Sequence, residues 1–167
     1  MPTSAKTSPE VLSELASRHK STKTTVLSLL VAVVLLCVAA LVGKKFLTPR
    51  INPSLDMAIR ISILIFGLGA ITWRRTKFSP MRLQDIGALK GASGLLATLQ
   101  RTTVQVALIG IAIGCIGFAG TLITASDYYS YVAGIVGSVV ILYAYPVRRS
   151  WERAVQRFAP ALDNANP

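Results

Sequence analysis

The sequence predicts an all-α, polytopic integral membrane protein with four transmembrane helices in two antiparallel hairpins and an amphipathic interfacial helix near each terminus. The 167 residues are 52% hydrophobic and only 15% charged, with a mean hydropathy of +0.55, which is not typical of a soluble chain. A helix needs about 20 apolar residues to cross the hydrocarbon of a bilayer. Four apolar stretches meet or approach that length, at about 24–42, 55–73, 104–125 and 131–145.

The basic residues predict how these spans are oriented. Fourteen of the eighteen Lys and Arg residues lie in the first 23 residues, in the segment 74–103 or after residue 147. Cytoplasmic loops carry an excess of Lys and Arg, so we expect a multi-pass protein of the plasma (inner) membrane with both termini in the cytoplasm. The net charge of +11 could also indicate nucleic-acid binding, but charges that flank apolar spans argue against it.

Residues 1–23 are predicted to form a cytoplasmic segment with a short amphipathic helix on the membrane surface. Ser8-Pro9-Glu10 is typical of a helix start, and one apolar face follows it, made of Val11, Leu12, Leu15, Ala16 and His19. The leader is over twenty residues long, and the apolar run after it exceeds the hydrophobic region of a usual signal peptide. The first span is therefore expected to be a retained signal anchor.

The second span is the weakest of the four because it contains two charged residues. Asp56 and Arg60 are four residues apart and could form an intramembrane ion pair that reaches outward to the interface. A re-entrant or interfacial hairpin is the alternative for this stretch, because its freely apolar part is short.

The segment 74–103 is predicted to be a cytoplasmic loop within the 24–147 transmembrane domain. Gly87, Gly91 and Gly94 would share one stripe of a helix there. Such a stripe suits close approach to another helix or to lipid, but three glycines can equally prevent a stable helix and leave a loose linker. Their spacing is not that of a phosphate-binding loop.

The third and fourth spans carry small residues at helical spacing, which lets helices pack closely in lipid. An intramolecular hairpin of these two spans is the simplest interpretation, and a face for a partner chain or a homodimer is the alternative. The candidate packing residues are Gly110, Gly114, Gly117, Gly120, Gly134 and Gly137.

Residues 148–167 are predicted to form a basic amphipathic cytoplasmic tail. Apolar residues, among them Trp151 and Val155, share one face, while Arg149, Arg153 and Arg157 repeat every four residues on another. This pattern is typical of an interfacial helix on anionic lipid.

No catalytic, cofactor-binding or metal-binding residue is predicted. The two cysteines fall inside apolar spans, His19 is the sole histidine, and no acid lies in mid-membrane. We therefore expect a non-catalytic accessory, assembly or scaffolding subunit of a larger membrane complex, whose partners are other membrane proteins or itself and anionic lipids, with neither nucleic acid nor a soluble substrate. A small oligomeric transporter or channel is the alternative, with Asp56 and Arg60 as its only plausible ion contact.

Overall fold

The computed structural model describes residues 9–48 and 53–158, and every regular element within them is a helix. Four of these helices are long and apolar enough to cross a membrane. This confirms the predicted all-helical class with four candidate spans. In chain order the elements are α1 (Pro9–Gly43), a short 3-10 helix (Lys44–Phe46), α2 (Pro53–Lys77), α3 (Pro80–Thr124), α4 (Asp127–Ala144) and α5 (Arg148–Phe158).

The helices α3 and α4 form the inner pair of the bundle, and α1 and α2 flank them. In the most apolar windows of α3 and α4, 44% of residues are buried, against 17% in α1 and 22% in α2. The outer surfaces of α1 and α2 are apolar and exposed, as expected for helices that face lipid. The main apolar core lies between all four and includes Val33, Ile63, Ile113 and Ile141.

The first helix differs from the sequence interpretation, because the expected N-terminal helix and the first span are one continuous helix. Its 35 residues make it about 52 Å long, well beyond a hydrocarbon thickness of about 30 Å. Thr22, Thr24 and Thr25 lie in the polar stretch before the apolar part. Each donates its hydroxyl to the carbonyl four residues earlier, at 2.7–3.1 Å. The polar junction is helical, and these hydroxyl groups find their acceptors within the helix itself.

The expected loop 74–103 is also almost entirely helical. The helix α2 runs on to Lys77, and α3 begins at Pro80 and continues into the third span. A kink divides α3 at Gly91, which has φ 67° and ψ −170°, a conformation essentially restricted to glycine. A Cβ at Gly94 would lie 2.3 Å from the Cβ of Lys90. These glycines therefore allow a sharp bend between two helical pieces. A break in the helix was part of the linker interpretation of the stripe, but the chain on each side of the break is helical.

A second apolar cluster lies where the first turns of α1, the first part of α3 and α5 meet. We call this part of the bundle the basic end, and the part near residues 43–48, 53–60 and 124–131 the opposite end. The side chains of the cluster come from helices far apart in the sequence, so it ties α1 and α5 to α3. We call it the basic-end cluster, and its buried members are Leu15, Leu83, Leu95, Leu96, Leu99, Trp151 and Val155.

Candidate functional site

The glycines of the third and fourth spans bring α3 and α4 into backbone contact. A Cβ at Gly117 would lie 2.1 Å from the Cβ of Ala133, and one at Gly137 would lie 2.7 Å from the carbonyl oxygen of Gly110. No side chain fits at either distance. We call this contact, formed by Gly110, Gly117, Ala133 and Gly137, the glycine seam.

The remaining predicted packing glycines face other helices of the same chain. Gly114 lies against Val33 of α1, and Gly120 lies against Ile59 of α2 and the ring of Tyr129. Gly134 faces the Sγ atom of Cys37 in α1, 2.5 Å from where its Cβ would be. All six glycines thus contact neighbouring helices within the fold, where a partner chain would have to displace those helices to reach them.

Asp56 and Arg60 form an ion pair at the opposite end, 3.0 Å between Nε and the carboxylate, with side chains 38% and 54% exposed. The guanidinium carbon of Arg60 also lies 4.9 Å from the ring centroid of Tyr128. Nearby, Lys44 pairs with Asp127 at the start of α4. The Asp56–Arg60 pair lies on the surface, where ion pairs contribute little to stability, whereas the Lys44–Asp127 pair is partly buried.

The basic stripe of α5 points outward from the basic end. Arg149, Arg153 and Arg157 are exposed, while Trp151 and Val155 on the other face are 3% and 2% exposed. The apolar face of α5 is therefore packed on the protein, whereas the sequence interpretation had this helix lying on lipid. What α5 presents outward is a charged ridge on a fixed support.

Polar contacts reinforce the attachment of α1 to the rest of the basic end. The Glu14 carboxylate pairs with Arg18 at 2.8 Å and accepts a hydrogen bond from Ser93 of α3. Glu14 precedes the apolar part of α1, and the Ser93 hydrogen bond, ahead of Arg18, holds its pKa below the ordinary value. Arg18 also donates to Gln100 at 3.2 Å.

The single histidine takes part in a second attachment, between α1 and the segment that joins α4 to α5. The Nε2 atom of His19 lies 3.0 Å from the carbonyl oxygen of Pro146. A carbonyl only accepts, so Nε2 carries the proton in this contact. The His19 ring also meets the Trp151 ring edge-on, with centroids 5.8 Å apart.

The basic end contains a small cavity of about 130 Å³ with Arg74 in its wall. The guanidinium carbon of Arg74 lies 4.2 Å from the ring centroid of Tyr143 and 5.5 Å from that of Phe78. In the sequence Arg74 looks like an interface anchor beside Trp73. Its position in a cavity depends on residues about 25 to 75 positions away, and no local signal could have shown it.

The described part of the chain contains no assembled group of three or more His, Cys, Asp or Glu side chains that could hold a metal ion. Cys37 is half-buried and its Sγ lies 3.5 Å from the carbonyl oxygen of Ser130, while Cys115 is exposed on the apolar surface. The two thiols are not paired with each other. Polar and charged groups from four helices lie close together at the basic end, which is therefore the candidate functional site.

Comparison with known proteins assigns no relative: no family model, no curated protein and no solved structure matches the chain. We therefore infer function from the geometry of this chain itself.

Proposed function

We propose that this protein is a non-catalytic accessory, assembly or scaffolding subunit of a larger membrane protein complex. We further propose that it contacts the complex through the charged ridge of α5, with the exposed apolar surfaces of α1 and α2 facing lipid or neighbouring membrane helices. The glycine faces on which the sequence interpretation relied are used for packing inside the chain. The ridge therefore takes their place as the contact surface.

One observation carries this proposal: the helix that bears the outward arginines packs on the rest of the protein. Trp151 and Val155, on its inner face, are buried in the basic-end cluster, so these two side chains are not available to insert into a bilayer. A ridge presented in this way suits an acidic protein surface or anionic headgroups, since exposed charge gives orientation and association rate more than insertion depth.

The same proposal includes a location and an orientation. The distribution of Lys and Arg supports a plasma (inner) membrane protein with both termini in the cytoplasm and with α1–α2 and α3–α4 as two antiparallel hairpins. Reporter fusions after residue 167 and within residues 47–52 test this. We expect a cytoplasmic signal from the first fusion and an external signal from the second; the reverse pattern would refute the orientation.

Affinity purification from native membranes in mild detergent tests the function. We expect a membrane protein partner at fixed stoichiometry with the tagged chain. A triple substitution to Gln at Arg149, Arg153 and Arg157 should release that partner at least tenfold more readily, because it removes the ridge without touching the buried face of α5.

The matched control removes three other exposed cations of the basic end, by substitution to Gln at Lys20, Lys23 and Arg101. Its net charge change is identical, so retention of the partner would assign the contact to α5 rather than to charge in general. A lone monomer without a stoichiometric partner, or equal release by both triple variants, would contradict the proposal.

The alternative, a small oligomeric transporter or channel, depends on the Asp56–Arg60 pair. That pair lies on the surface of the single chain, so an oligomer would be needed to enclose it. Flux through liposomes that is abolished by Arg60→Ala would favour this alternative.

A further inference from the structure

The small cavity with Arg74 in its wall, which we call the Arg74 cavity, lies between the helices that meet at the basic end. Arg74 reaches it from the last turn of α2, Leu99 and Thr103 line it from α3, and Ser150 and Trp151 line it from α5. Its volume of about 130 Å³ is roughly that of four liquid water molecules. It is therefore large enough for one small polar group and too small for a drug-sized ligand.

No carboxylate among the described residues pairs with the charge in this cavity, and its neighbours there are the rings of Tyr143 and Phe78. Arg74 is the one charged side chain among the described residues that line it, and the ion pairs among the described residues do not include it. A guanidinium offers five N–H donors in a fixed plane and binds carboxylate or phosphate oxygens in pairs. The rings of Tyr143 and Phe78 restrict its position, which reduces the entropy lost when an anion binds.

Three residues with hydroxyl groups also line the cavity: Thr103, Ser150 and Tyr145. The side chain of Thr103 is almost fully buried, with the residue 3% exposed, and Ser150 belongs to the exposed first turn of α5. No carboxylate lines the cavity among the described residues. A cation with neighbouring hydroxyl donors and no acid selects an anion with several oxygens.

We propose that the Arg74 cavity binds a phosphate group, and that this phosphate belongs to the headgroup of a phospholipid. Arg74 supplies the charge and the paired donors, and Thr103 and Ser150 supply further hydrogen bonds. The position supports a lipid source, because Arg74 follows the apolar part of α2 directly, at the depth where headgroups lie. Val147 and Tyr143, beside the cavity, are 53% and 44% exposed, which leaves an approach from the lipid side.

This proposal goes beyond the subunit role and does not depend on it. The residues also differ from the α5 ridge, where any lipid contact would be diffuse and shared among exposed arginines. The chain offers a close control, since Arg75 is the neighbouring residue, carries the same charge and is exposed.

The test is a titration of the purified, delipidated full-length protein, in neutral detergent, with short-chain phosphatidylglycerol. The thermal unfolding midpoint of the protein is measured at each lipid concentration. Three further titrations separate the contribution of the phosphate group from that of the acyl chains. The first uses short-chain diacylglycerol, which lacks the phosphate, and the second uses inorganic phosphate, which lacks the chains. The third measures competition between inorganic phosphate and phosphatidylglycerol. We expect saturable stabilisation by phosphatidylglycerol, none by diacylglycerol, and competition by inorganic phosphate at much higher concentration.

The variants locate the site. Arg74→Gln should raise the Kd for phosphatidylglycerol about tenfold or more, as expected for losing a charged hydrogen-bond donor, and Arg75→Gln should leave the Kd within about twofold because its charge is solvated. Thr103→Val keeps the shape of the side chain and should raise the Kd about threefold or more through the lost hydroxyl. This variant keeps the test valid if Arg74→Gln disturbs folding.

Equal weakening by Arg74→Gln and Arg75→Gln would overturn the proposal, because it would mean diffuse attraction to surface charge. Stabilisation by diacylglycerol equal to that by phosphatidylglycerol, or the absence of saturable binding, would overturn it as well. Inorganic phosphate that binds as tightly as the lipid, with the same dependence on Arg74, would support the phosphate site and overturn its assignment to a headgroup.

Discussion

The glycine seam and the basic-end cluster hold the same helix α3 to its neighbours with opposite kinds of side chain. In the seam, Gly110 and Gly117 meet Ala133 and Gly137 so closely that a single added Cβ finds no space. In the basic-end cluster, contact is made by large apolar side chains, of which Trp151 is the largest.

The difference in side-chain size between the glycine seam and the basic-end cluster is the one expected if lipid surrounds the first and water surrounds the second. Lipid tails are as apolar as leucine, so burying a large side chain between spans gains little, and close backbone approach gains dispersion contacts instead. The helix α1 is longer than the hydrocarbon is thick, and we expect its more polar first turns to lie beyond the hydrocarbon. There each square ångström of apolar surface removed from water contributes about 25 cal/mol, which favours large side chains.

The largest expected effect is at Trp151. We expect Trp151→Ala to destabilise the attachment of α5 by about 4 kcal/mol, because it removes the largest buried side chain of the basic-end cluster and leaves a cavity. Hydrogen exchange of the α5 amides measures this opening. Trp73→Ala is the control, since Trp73 is 45% exposed, and comparable opening of α5 in both variants would contradict the assignment.

The glycine seam should be destabilised by a larger side chain, whereas the basic-end cluster is destabilised by a smaller one. We expect Gly117→Ala to lower the free energy of unfolding by about 3 kcal/mol, since the new methyl must displace Ala133 and the Tyr129 carbonyl. Unfolding in mixed detergent micelles measures it. At Gly69 nothing lies within 4 Å of an added Cβ, so Gly69→Ala should stabilise by up to about 1 kcal/mol, and similar losses at both positions would show that no seam exists.

The kink at Gly91 connects the two regions and is the next test. A side chain is strained at its φ of 67° and ψ of −170°, so Gly91→Ala should cost about 2 kcal/mol. Because the kink places residues 80–90 on the cluster, the loss should appear as faster exchange around Leu83, with the amides of α4 unchanged. Faster exchange in α4 would mean that the two regions unfold together.

The smallest effect is expected from the ion pair at the basic end. Glu14→Gln should cost less than about 1 kcal/mol, because Glu14 and Arg18 are each about one-third exposed. The pKa of Glu14 is lowered in the folded protein, so its contribution is present above the ordinary value of 4.5 and is lost as the pH falls through the folded pKa. Exchange of the first turns of α1, measured against pH for both proteins, should converge at low pH. A loss comparable with that of Trp151→Ala would mean that charge, not apolar burial, holds this end together.

The apolar spans were readable from the sequence because their signal is local. The first span was expected to end at 42 and α1 ends at Gly43; the third was expected to end at 125 and α3 ends at Thr124. Polar residues follow both ends, and the apolar stretches, though not the whole helices, match the thickness of the hydrocarbon. The sequence alone could not show that the apolar faces of the two terminal segments pack on the protein, because an apolar stripe is satisfied equally well by lipid or by protein. The position of these segments at the membrane surface stays a prediction.

By itself, the sequence determined a four-span helical chain, the distribution of charge along it and the glycines that permit close packing, since each depends on neighbouring residues and on the thickness of a bilayer. Only the tertiary structure decided what those features contact. It joined Leu15 to Trp151, placed the glycines of α3 against three different helices and put Arg74 in a cavity. These are contacts across long stretches of chain, where the entropy of closing each loop is offset only by the packing of the complete fold.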